Sequence, residues 1–429
     1  MATFKEKKIA QAITEQDQIL APYLDQVDRV DKPHLIKNLS PFPKQIKSAI
    51  LFHAFNQPTR YDRNIYILRT SKALSDLLPE KLRPLLFCSD DEINTQAKEC
   101  ANYCRSLAIN PEKVDYIYAQ RRNAQRNAGE TERNVPLTFR YHSNVNSETK
   151  GEDSAYFRSE DSEFASELAY IKQVALYEHL SNYVNNFGLS PIQIGNGIEL
   201  GGALKRYTDK RWWLRKIRKL VTQANEKAAI HLNFVNSKKQ IYASDVTTRN
   251  RLTQHARNEH LLSSTHILNE QGQRYSLKEI SDLNVSNPKI RKDELLCRAR
   301  GFENLAKELG HDALFITVTC PSKYHRAYSK SGAPNPKWQG LMPNQANDYL
   351  NNQWQKARAE FKRQNIAPYG FRVAEPQHDG TPHWHMLFFI ESDKVAALQA
   401  VIRHYALEVD GDEQGAAENR CDFKLIDPN

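Results

Sequence analysis

The feature that most constrains the fold is a change in the spacing of apolar residues after Gly310. Before this glycine, apolar residues recur largely at three- and four-residue steps, which is typical of amphipathic helices. After it, residues 314–319, 371–375 and 384–390 form short runs rich in β-branched and aromatic side chains, which predict strands. The C-terminal part of the chain is therefore expected to contain a sheet, and the rest to be mostly helical.

The segments around these strands predict the order β-α-β-β-α-β. Residues 344–364 and 393–409 are expected to be helices, and residues 421–426 a closing strand. The Asp379-Gly380 step between the second and third strands is a strong turn signal, so these two strands should form an antiparallel hairpin. We therefore expect an α+β protein, with a helical N-terminal region followed by a ferredoxin-like (split βαβ) domain with an antiparallel sheet.

Composition divides the 429 residues into four parts. Polar residues dominate between two helical regions and predict a linker or long loop there. The predicted parts are a helical domain (1–130), the polar linker (131–162), a helical, basic, DNA-binding region (163–290) and the strand-rich domain (291–429).

The N-terminus and the cysteines indicate the compartment. The chain opens Met-Ala-Thr-Phe-Lys-Glu-Lys-Lys, without an apolar leader, and no later stretch has the length and apolar character of a membrane span. Six cysteines are spread over the chain without a metal-knuckle spacing, which predicts reduced thiols. We expect a soluble protein of the cytoplasm, with no membrane partner.

Positive charge is concentrated in one segment. Lysine and arginine outnumber the acidic residues by 60 to 51, a net charge of +9, and between residues 205 and 219 only Asp209 opposes eight basic residues. Such a segment can neutralise DNA phosphates, although a solvated helix face explains it equally well. The residues predicted to contact DNA there are Lys205, Arg206, Lys210, Arg211, Arg215 and Lys216.

The sequence also predicts a metal site. His383 and His385 are two apart in a strand, so both imidazoles point to the same face. Glu375 on the partner strand can complete a site of two histidines and one carboxylate if the register places it opposite. These donors suit Mg²⁺ or Mn²⁺ acting as a Lewis acid on a phosphoryl oxygen. His378, in the turn between the two strands, is an alternative third ligand, although we favour the interpretation that it is an exposed turn residue. A cupin-type metal site is a further alternative, but it would need many more short strands than the sequence predicts.

A basic loop precedes the predicted helix 344–364. Its cations are interleaved with aromatic side chains and no acid, which favours a single-stranded DNA groove with base stacking. In the alternative, the aromatic residues only pin the loop to the domain. The residues of this loop predicted to contact DNA are Lys323, Tyr324, Arg326, Lys330 and Lys337.

Two of these stretches resemble a known family. Phe315-Ile-Thr-Val-Thr-Cys-Pro-Ser-Lys-Tyr-His325 and Glu375-Pro-Gln-His-Asp-Gly-Thr-Pro-His-Trp-His-Met-Leu-Phe-Phe389 are similar to the bacteriophage replication gene A protein family. These are HUH-class endonucleases, and the resemblance covers roughly residues 290–429. It implies a metal-dependent, site-specific single-strand nickase that starts rolling-circle replication of a phage or prophage, with single-stranded or origin DNA and the host replicative helicase as partners.

The resemblance also implies roles for individual residues. His383 and His385 would bind the metal that polarises the scissile phosphate, assisted by Glu375. Thr317 and Thr319 would lie in the strand of the first replication-initiator motif, where ordinary strand packing explains each of them equally well. A tyrosine from a Tyr-x-x-x-Tyr helix would attack the DNA and form a 5′-phosphotyrosine.

The chain departs from this pattern at the tyrosines. No Tyr-x-x-x-Tyr follows the two histidines, and Tyr405, the one tyrosine after them, fits a helix packing residue. We expect the tyrosine helix to lie beyond Asn429 in a longer protein. Two alternatives remain open: a DNA-binding protein that keeps the fold without nicking, and a metal-dependent hydrolase that uses activated water.

Overall fold

The computed structural model describes residues 19–127 and 154–426. The chain divides into two compact units, Met1–Thr222 and Gln223–Asn429, and the division falls within the region 163–290 that composition had set apart. Of the predicted linker, residues 131–153 lie outside the described residues, whereas residues 154–162 are helical.

The described part of the first unit is helical, as predicted. Its helices begin with ordinary capping signals: Ser89 accepts from the backbone N–H of Glu92, whose side chain accepts in return from the Ser89 backbone. The helices are α1 (Lys32–Leu39), α2 (Lys44–Phe55), α3 (Arg60–Ser75), α4 (Asp90–Ala108), α5 (Pro111–Asn127), α6 (Ser154–Asn185), α7 (Leu200–Tyr207) and α8 (Lys210–His231), of which α8 continues into the second unit.

After Val235, the second unit contains a stretch that buries very little. It contains α9 (Asp245–Ser264), β1 (His266–Leu268), β2 (Arg274–Ser276), α10 (Leu277–Asp282) and α11 (Pro288–Leu309). The sequence predicted only helices here, so the antiparallel β1–β2 hairpin corrects that prediction. The sequence of α11 is amphipathic, but its apolar side is mostly exposed: Ala306 is the one fully buried residue of this helix. No apolar side chain in residues 236–305, all of them described, is fully buried.

The remainder of the unit follows the predicted order β-α-β-β-α-β, with one additional short α-helix and two 3-10 helices, Ser322–Tyr324 and Ser392–Lys394. Its four strands form a single sheet in the order β4-β5-β3-β6, in which every neighbouring pair is antiparallel. The elements are β3 (His311–Val318), α12 (Pro343–Arg363), β4 (Tyr369–Pro376), β5 (Pro382–Glu391), α13 (Val395–Leu407), α14 (Ala416–Asn419) and β6 (Cys421–Ile426).

One face of this sheet forms the hydrophobic core with α12 and α13. Trp384, Met386 and Phe388 of β5 point into it and are almost fully buried. Burial of each such side chain contributes about 1.5–3 kcal/mol, so the orientation of β5 is strongly fixed. Because side chains alternate along a strand, His383 and His385, which flank Trp384, must point to the opposite face.

Gly370 allows β4 to approach β5 closely. Its φ is +143°, and a Cβ added here would lie 2.0 Å from the carbonyl oxygen of Leu387. No other residue fits this position without moving the backbone, so the register of the hairpin depends on a glycine here.

All six cysteines lie in the described residues and none forms a disulfide. Five are buried, and Cys297 on α11 is exposed. Of the described helices, none combines the length and the apolar character needed to cross a membrane.

Candidate metal centre

The β4–β5 hairpin brings Glu375, His383 and His385 together on the sheet face opposite the core. Glu375 lies directly across the ladder from His383, which is the register that the sequence could not supply. The Nε2 atoms of the two histidines are 2.7 Å apart, and Nε2 of His385 lies 3.7 Å from Oε2 of Glu375. Each residue offers one ligand atom, and all three atoms lie within 4.8 Å of one another.

His385 is held on two sides by strand β3. Thr317 is its direct cross-strand partner, and the Thr317 hydroxyl is 3.0 Å from Nδ1 of His385. The ring of Phe315 stacks on the imidazole, with 5.2 Å between ring centroids and 25° between planes. The sequence placed Thr317 in this strand without assigning it a contact.

The His383 side chain is partly buried. Burial, reinforced by the neighbouring His385, lowers the pKa of His383, so the imidazole stays neutral at ordinary pH. Its Nδ1 is buried and has no hydrogen-bond partner among the described residues. A neutral imidazole is the form that binds a metal ion.

The three donors suit a divalent cation. Two imidazoles and one carboxylate, with Glu375 half exposed, leave coordination positions open toward solvent. The two Nε2 atoms are 2.7 Å apart and the carboxylate lies within 4.8 Å of both, while the buried Nδ1 of His383 has no hydrogen-bond partner among the described residues. These donors therefore fit a divalent cation.

The family of the chain follows from comparison with known proteins. A family model for the bacteriophage replication gene A protein matches residues 149–429, a segment that contains the whole sheet and the three candidate ligands. The chain belongs to the bacteriophage replication gene A protein family.

Individual relatives each match a little more than half of the chain. The replication gene A protein of Escherichia phage 186 is 40% identical over 233 residues, which are 54% of this chain and 33% of that protein. The replication protein of Haemophilus phage HP1 is 35% identical over 231 residues, 53% of this chain and 29% of that protein. A probable replication endonuclease from a prophage-like region of Shigella boydii is 32% identical over 228 residues, which are 53% of this chain and 28% of that protein. The match thus spans about a third of each relative's length, and no solved structure matches the chain.

In this gene A family member, the turn before the histidines differs from expectation. His378 is half-buried and its Nε2 lies 3.3 Å from the carbonyl oxygen of Ala327, so it is neither the exposed turn residue that the sequence favoured nor part of the ligand cluster. Beside it, the buried carboxylate of Asp379 lies 3.1 Å from Nδ1 of His325. This pair was not predicted from the sequence, because His325 precedes Asp379 by 54 residues.

The basic loop is tied to the domain by most of its predicted DNA contacts. Lys323 forms an ion pair with Asp410 at 3.0 Å, and Lys337 forms one with Glu413 at 3.1 Å. Both lysines are therefore paired with acidic residues of the same unit, although Lys337 remains half exposed.

Two further predicted DNA contacts of the loop, Arg326 and Tyr324, are also engaged within the protein, whereas Lys330 is exposed. Arg326 donates to the carbonyl of His231 and lies over the ring of Trp338, and Tyr324 stacks on Tyr349 with 5.2 Å between centroids. Lys330, by contrast, is exposed and remains available to a ligand. The prediction of a DNA groove in this loop therefore rests mainly on Lys330.

The basic run of the first unit presents a different picture. Trp212 and Trp213 are buried, whereas most of the basic side chains around them point to solvent. Lys210 is half-buried, and Arg218 donates two hydrogen bonds, of 2.8 and 2.9 Å, to the buried carboxylate of Asp90. The exposed predicted DNA contacts are Lys205, Arg206, Arg211, Arg215 and Lys216.

The tyrosines of the second unit do not form a nucleophile pair. Tyr324 and Tyr328 have the Tyr-x-x-x-Tyr spacing, but Tyr324 ends a 3-10 helix and Tyr328 lies in the following loop. Burial raises the pKa of Tyr324, which disfavours a phenolate there. Tyr405 packs against the core, as the sequence suggested.

Proposed function

We propose that this gene A family member carries the metal-dependent phosphodiester-cleaving centre of a single-strand DNA endonuclease that initiates rolling-circle replication of a phage or prophage. The observation that carries the proposal is the convergence of Glu375, His383 and His385 on one exposed face of the sheet. The order β-α-β-β-α-β with strand order β4-β5-β3-β6 supports a ferredoxin-like HUH domain. The name of the Shigella relative, a probable replication endonuclease, agrees with it.

Each residue of the centre has a separate part in this proposal. His383 and His385 bind the cation through Nε2, and Glu375 adds a negative charge that stabilises the bound divalent cation. Bound Mg²⁺ or Mn²⁺ would polarise a phosphoryl oxygen of the scissile phosphate. Trp384, buried on the other side of the strand, keeps both imidazoles on the face that DNA can reach.

The proposed partner is single-stranded or origin DNA. The exposed side chains of Lys205, Arg206, Arg211, Arg215 and Lys216 offer phosphate contacts in the first unit, and Lys330 offers one in the second. The proposal includes a 5′-phosphotyrosine intermediate, as the family resemblance implies. None of Tyr324, Tyr328 and Tyr405 is assigned as its nucleophile.

A second candidate function is DNA binding without nicking. The observation that favours it is the placement of the tyrosines: Tyr324 is stacked on Tyr349, and Tyr405 packs against the core. In that case the metal centre would still bind its cation and DNA.

The metal centre is tested by thermal unfolding with and without Mn²⁺. Binding to the folded state raises its stability by about 2.7 kcal/mol when the metal is present at 100 times its dissociation constant. We expect Mn²⁺ to raise the melting temperature of the wild-type protein and not that of His383→Ala. The matched control is His404→Ala, which removes an exposed histidine of α13 and should keep the full Mn²⁺ effect. An equal Mn²⁺ effect in wild type and His383→Ala would remove the site.

The activity is tested on circular single-stranded phage DNA with Mn²⁺. A nickase converts circles to linear molecules, and the His385→Ala variant should not. Protein that remains on the 5′ end in denaturing gels supports the phosphotyrosine route, whereas a free 5′ end supports hydrolysis by water. DNA that is bound but stays circular would favour the second candidate function.

A further inference from the structure

The hydroxyl of Thr317 occupies a position from which it can control one metal ligand. Thr317 in β3 and His385 in β5 are direct partners across the antiparallel ladder, and both point to the face that carries the metal centre. The Thr317 Oγ1 lies 3.0 Å from Nδ1 of His385, a normal hydrogen-bond distance.

The two nitrogens of His385 face different neighbours. Nε2 faces His383 and Glu375, and Nδ1 faces Thr317. A neutral imidazole carries one proton, so a cation on Nε2 requires that proton on Nδ1, where it can be donated to Thr317. The partner on the second nitrogen thus sets which nitrogen is free to bind metal.

The two histidines are not supported equally. Phe315 stacks on the His385 ring and limits its tilt, while the Thr317 hydroxyl limits its rotation about χ2. Nδ1 of His383 has no comparable partner among the described residues and is held by burial instead. The ligand whose orientation depends on a single removable hydrogen bond is therefore His385.

We propose that Thr317 is a positioning residue, which fixes the tautomer and ring orientation of His385 and thereby the affinity of the centre for its cation. This inference rests on the proposed metal centre. Loss of such a partner weakens metal binding by roughly 10- to 100-fold in comparable sites. Thr317 does not contact the cation itself.

The test compares three variants by direct Mn²⁺ binding, measured from the electron paramagnetic resonance signal of free Mn²⁺. Thr317→Val keeps the shape of the side chain and removes the hydroxyl, and Thr317→Ser keeps the hydroxyl. Thr319→Val makes the same chemical change two residues away, where the hydroxyl donates to the backbone carbonyl of Asn419 and not to a ligand. Thermal melts without metal show whether each variant is folded.

We expect Thr317→Val to raise the Mn²⁺ dissociation constant by about 10- to 100-fold, and Thr317→Ser and Thr319→Val to stay within about threefold of wild type. Long-range ¹H–¹⁵N spectra of the Mg²⁺-loaded protein should show a protonated Nδ1 for His385 in the wild type and in Thr317→Ser. A folded Thr317→Val protein that binds Mn²⁺ like the wild type, or a Thr317→Ser protein as weak as the valine variant, would overturn the role of the hydroxyl.

The same titration separates this inference from the metal centre itself. If wild type and His383→Ala bind Mn²⁺ equally, the centre is refuted and the role of Thr317 with it. If His383→Ala loses binding but Thr317→Val does not, the centre stands and only the positioning role is refuted.

Discussion

At the scale of single residues, the pair of His325 and Asp379 fixes the turn that leads into the candidate metal ligands. Asp379 has no exposed side-chain surface, and its carboxylate also accepts from the backbone N–H of Thr381 at 3.1 Å. Burial opposes ionisation, but the hydrogen bond and charge of His325 outweigh it, so the pKa of Asp379 lies below its ordinary value. The turn is thus held by a carboxylate that must be ionised.

Replacing Asp379 by asparagine should therefore cost stability in a pH-dependent way. A carboxylate with a lowered folded pKa stabilises the protein fully above its unfolded value of 3.8, and this contribution is lost as the pH falls through the folded pKa. We expect Asp379→Asn to lower the free energy of unfolding by about 1–3 kcal/mol at pH 7, and the difference from wild type to shrink below pH of about 4.

Urea denaturation at pH 7 and at pH 3 measures both effects. Asp412→Asn, which changes an exposed aspartate of the same unit, is the control and should leave the stability within about 0.5 kcal/mol. A constant difference between wild type and Asp379→Asn at the two pH values would contradict the prediction.

The candidate site was predictable from sequence as far as local alternation reaches. The spacing of His383 and His385 fixes their common face, and a carboxylate on the next strand made Glu375 the natural third ligand. Thr317 could not be assigned a contact, because its partner His385 is 68 residues away and the register of β3 against β5 is not visible in the sequence. His378 was misjudged since its burial depends on the separate loop around Ala327.

At the scale of elements, helix α8 carries basic residues of two kinds. Arg218 is committed to a buried partner, Asp90, which is only 1% exposed. Arg211, Arg215 and Lys216 point to solvent on the same helix. From the sequence alone, Arg218 cannot be distinguished from the other three residues, since the sequence shows the basic run but not the buried partner Asp90.

These two kinds of residue should respond differently to neutralisation. Changing Arg211, Arg215 and Lys216 together to glutamine should leave the melting temperature unchanged and flatten the salt dependence of single-stranded DNA binding, by up to about 0.7 in log–log slope for each phosphate that is no longer neutralised. Arg218→Gln should instead lower the free energy of unfolding by about 1–3 kcal/mol, because it leaves Asp90 buried without its bidentate partner. Fluorescence anisotropy over a salt series and thermal melts measure the two outcomes. An unchanged slope in the triple variant would return the run to a solvated helix face.

The fold was predictable where an element is long enough to show its period. Strand β6 begins and ends at the predicted residues, and the other three strands of the sheet were found with their ends shifted by one to three residues. The β1–β2 hairpin was missed because strands of three residues show too little alternation. Helix α11 was predicted correctly from its helical spacing of apolar residues. Its low burial could not be predicted, since an apolar stripe does not specify what covers it.

At the scale of the whole molecule, apolar burial is uneven. In the second unit, the core beneath the sheet contains almost fully buried side chains from β3, β5, α12 and α13. Residues 236–305, which include α9, α10 and the β1–β2 hairpin, contain no fully buried apolar side chain. Regular structure without a core opens at low free-energy cost.

Hydrogen exchange should reproduce this division. We expect the backbone amides of β3 and β5 to exchange slowest in the second unit, and those of α9 and β1–β2 to exchange faster by about two orders of magnitude or more, which corresponds to a difference in opening free energy of roughly 3 kcal/mol. Peptide-level mass spectrometry over a time course measures it. Comparable protection in both regions would show that the stretch 236–305 is stabilised in some way that burial does not reveal.

The placement of the cysteines makes the protein suited to single-site labelling. Burial raises the pKa of Cys88 and of Cys104 to about 12, and it raises the pKa of Cys100, Cys320 and Cys421 as well, so little thiolate is available at any of the five. Cys297 alone among the six is exposed. A maleimide fluorophore should therefore attach once per native chain, on α11, and report on that helix by fluorescence without any engineered cysteine.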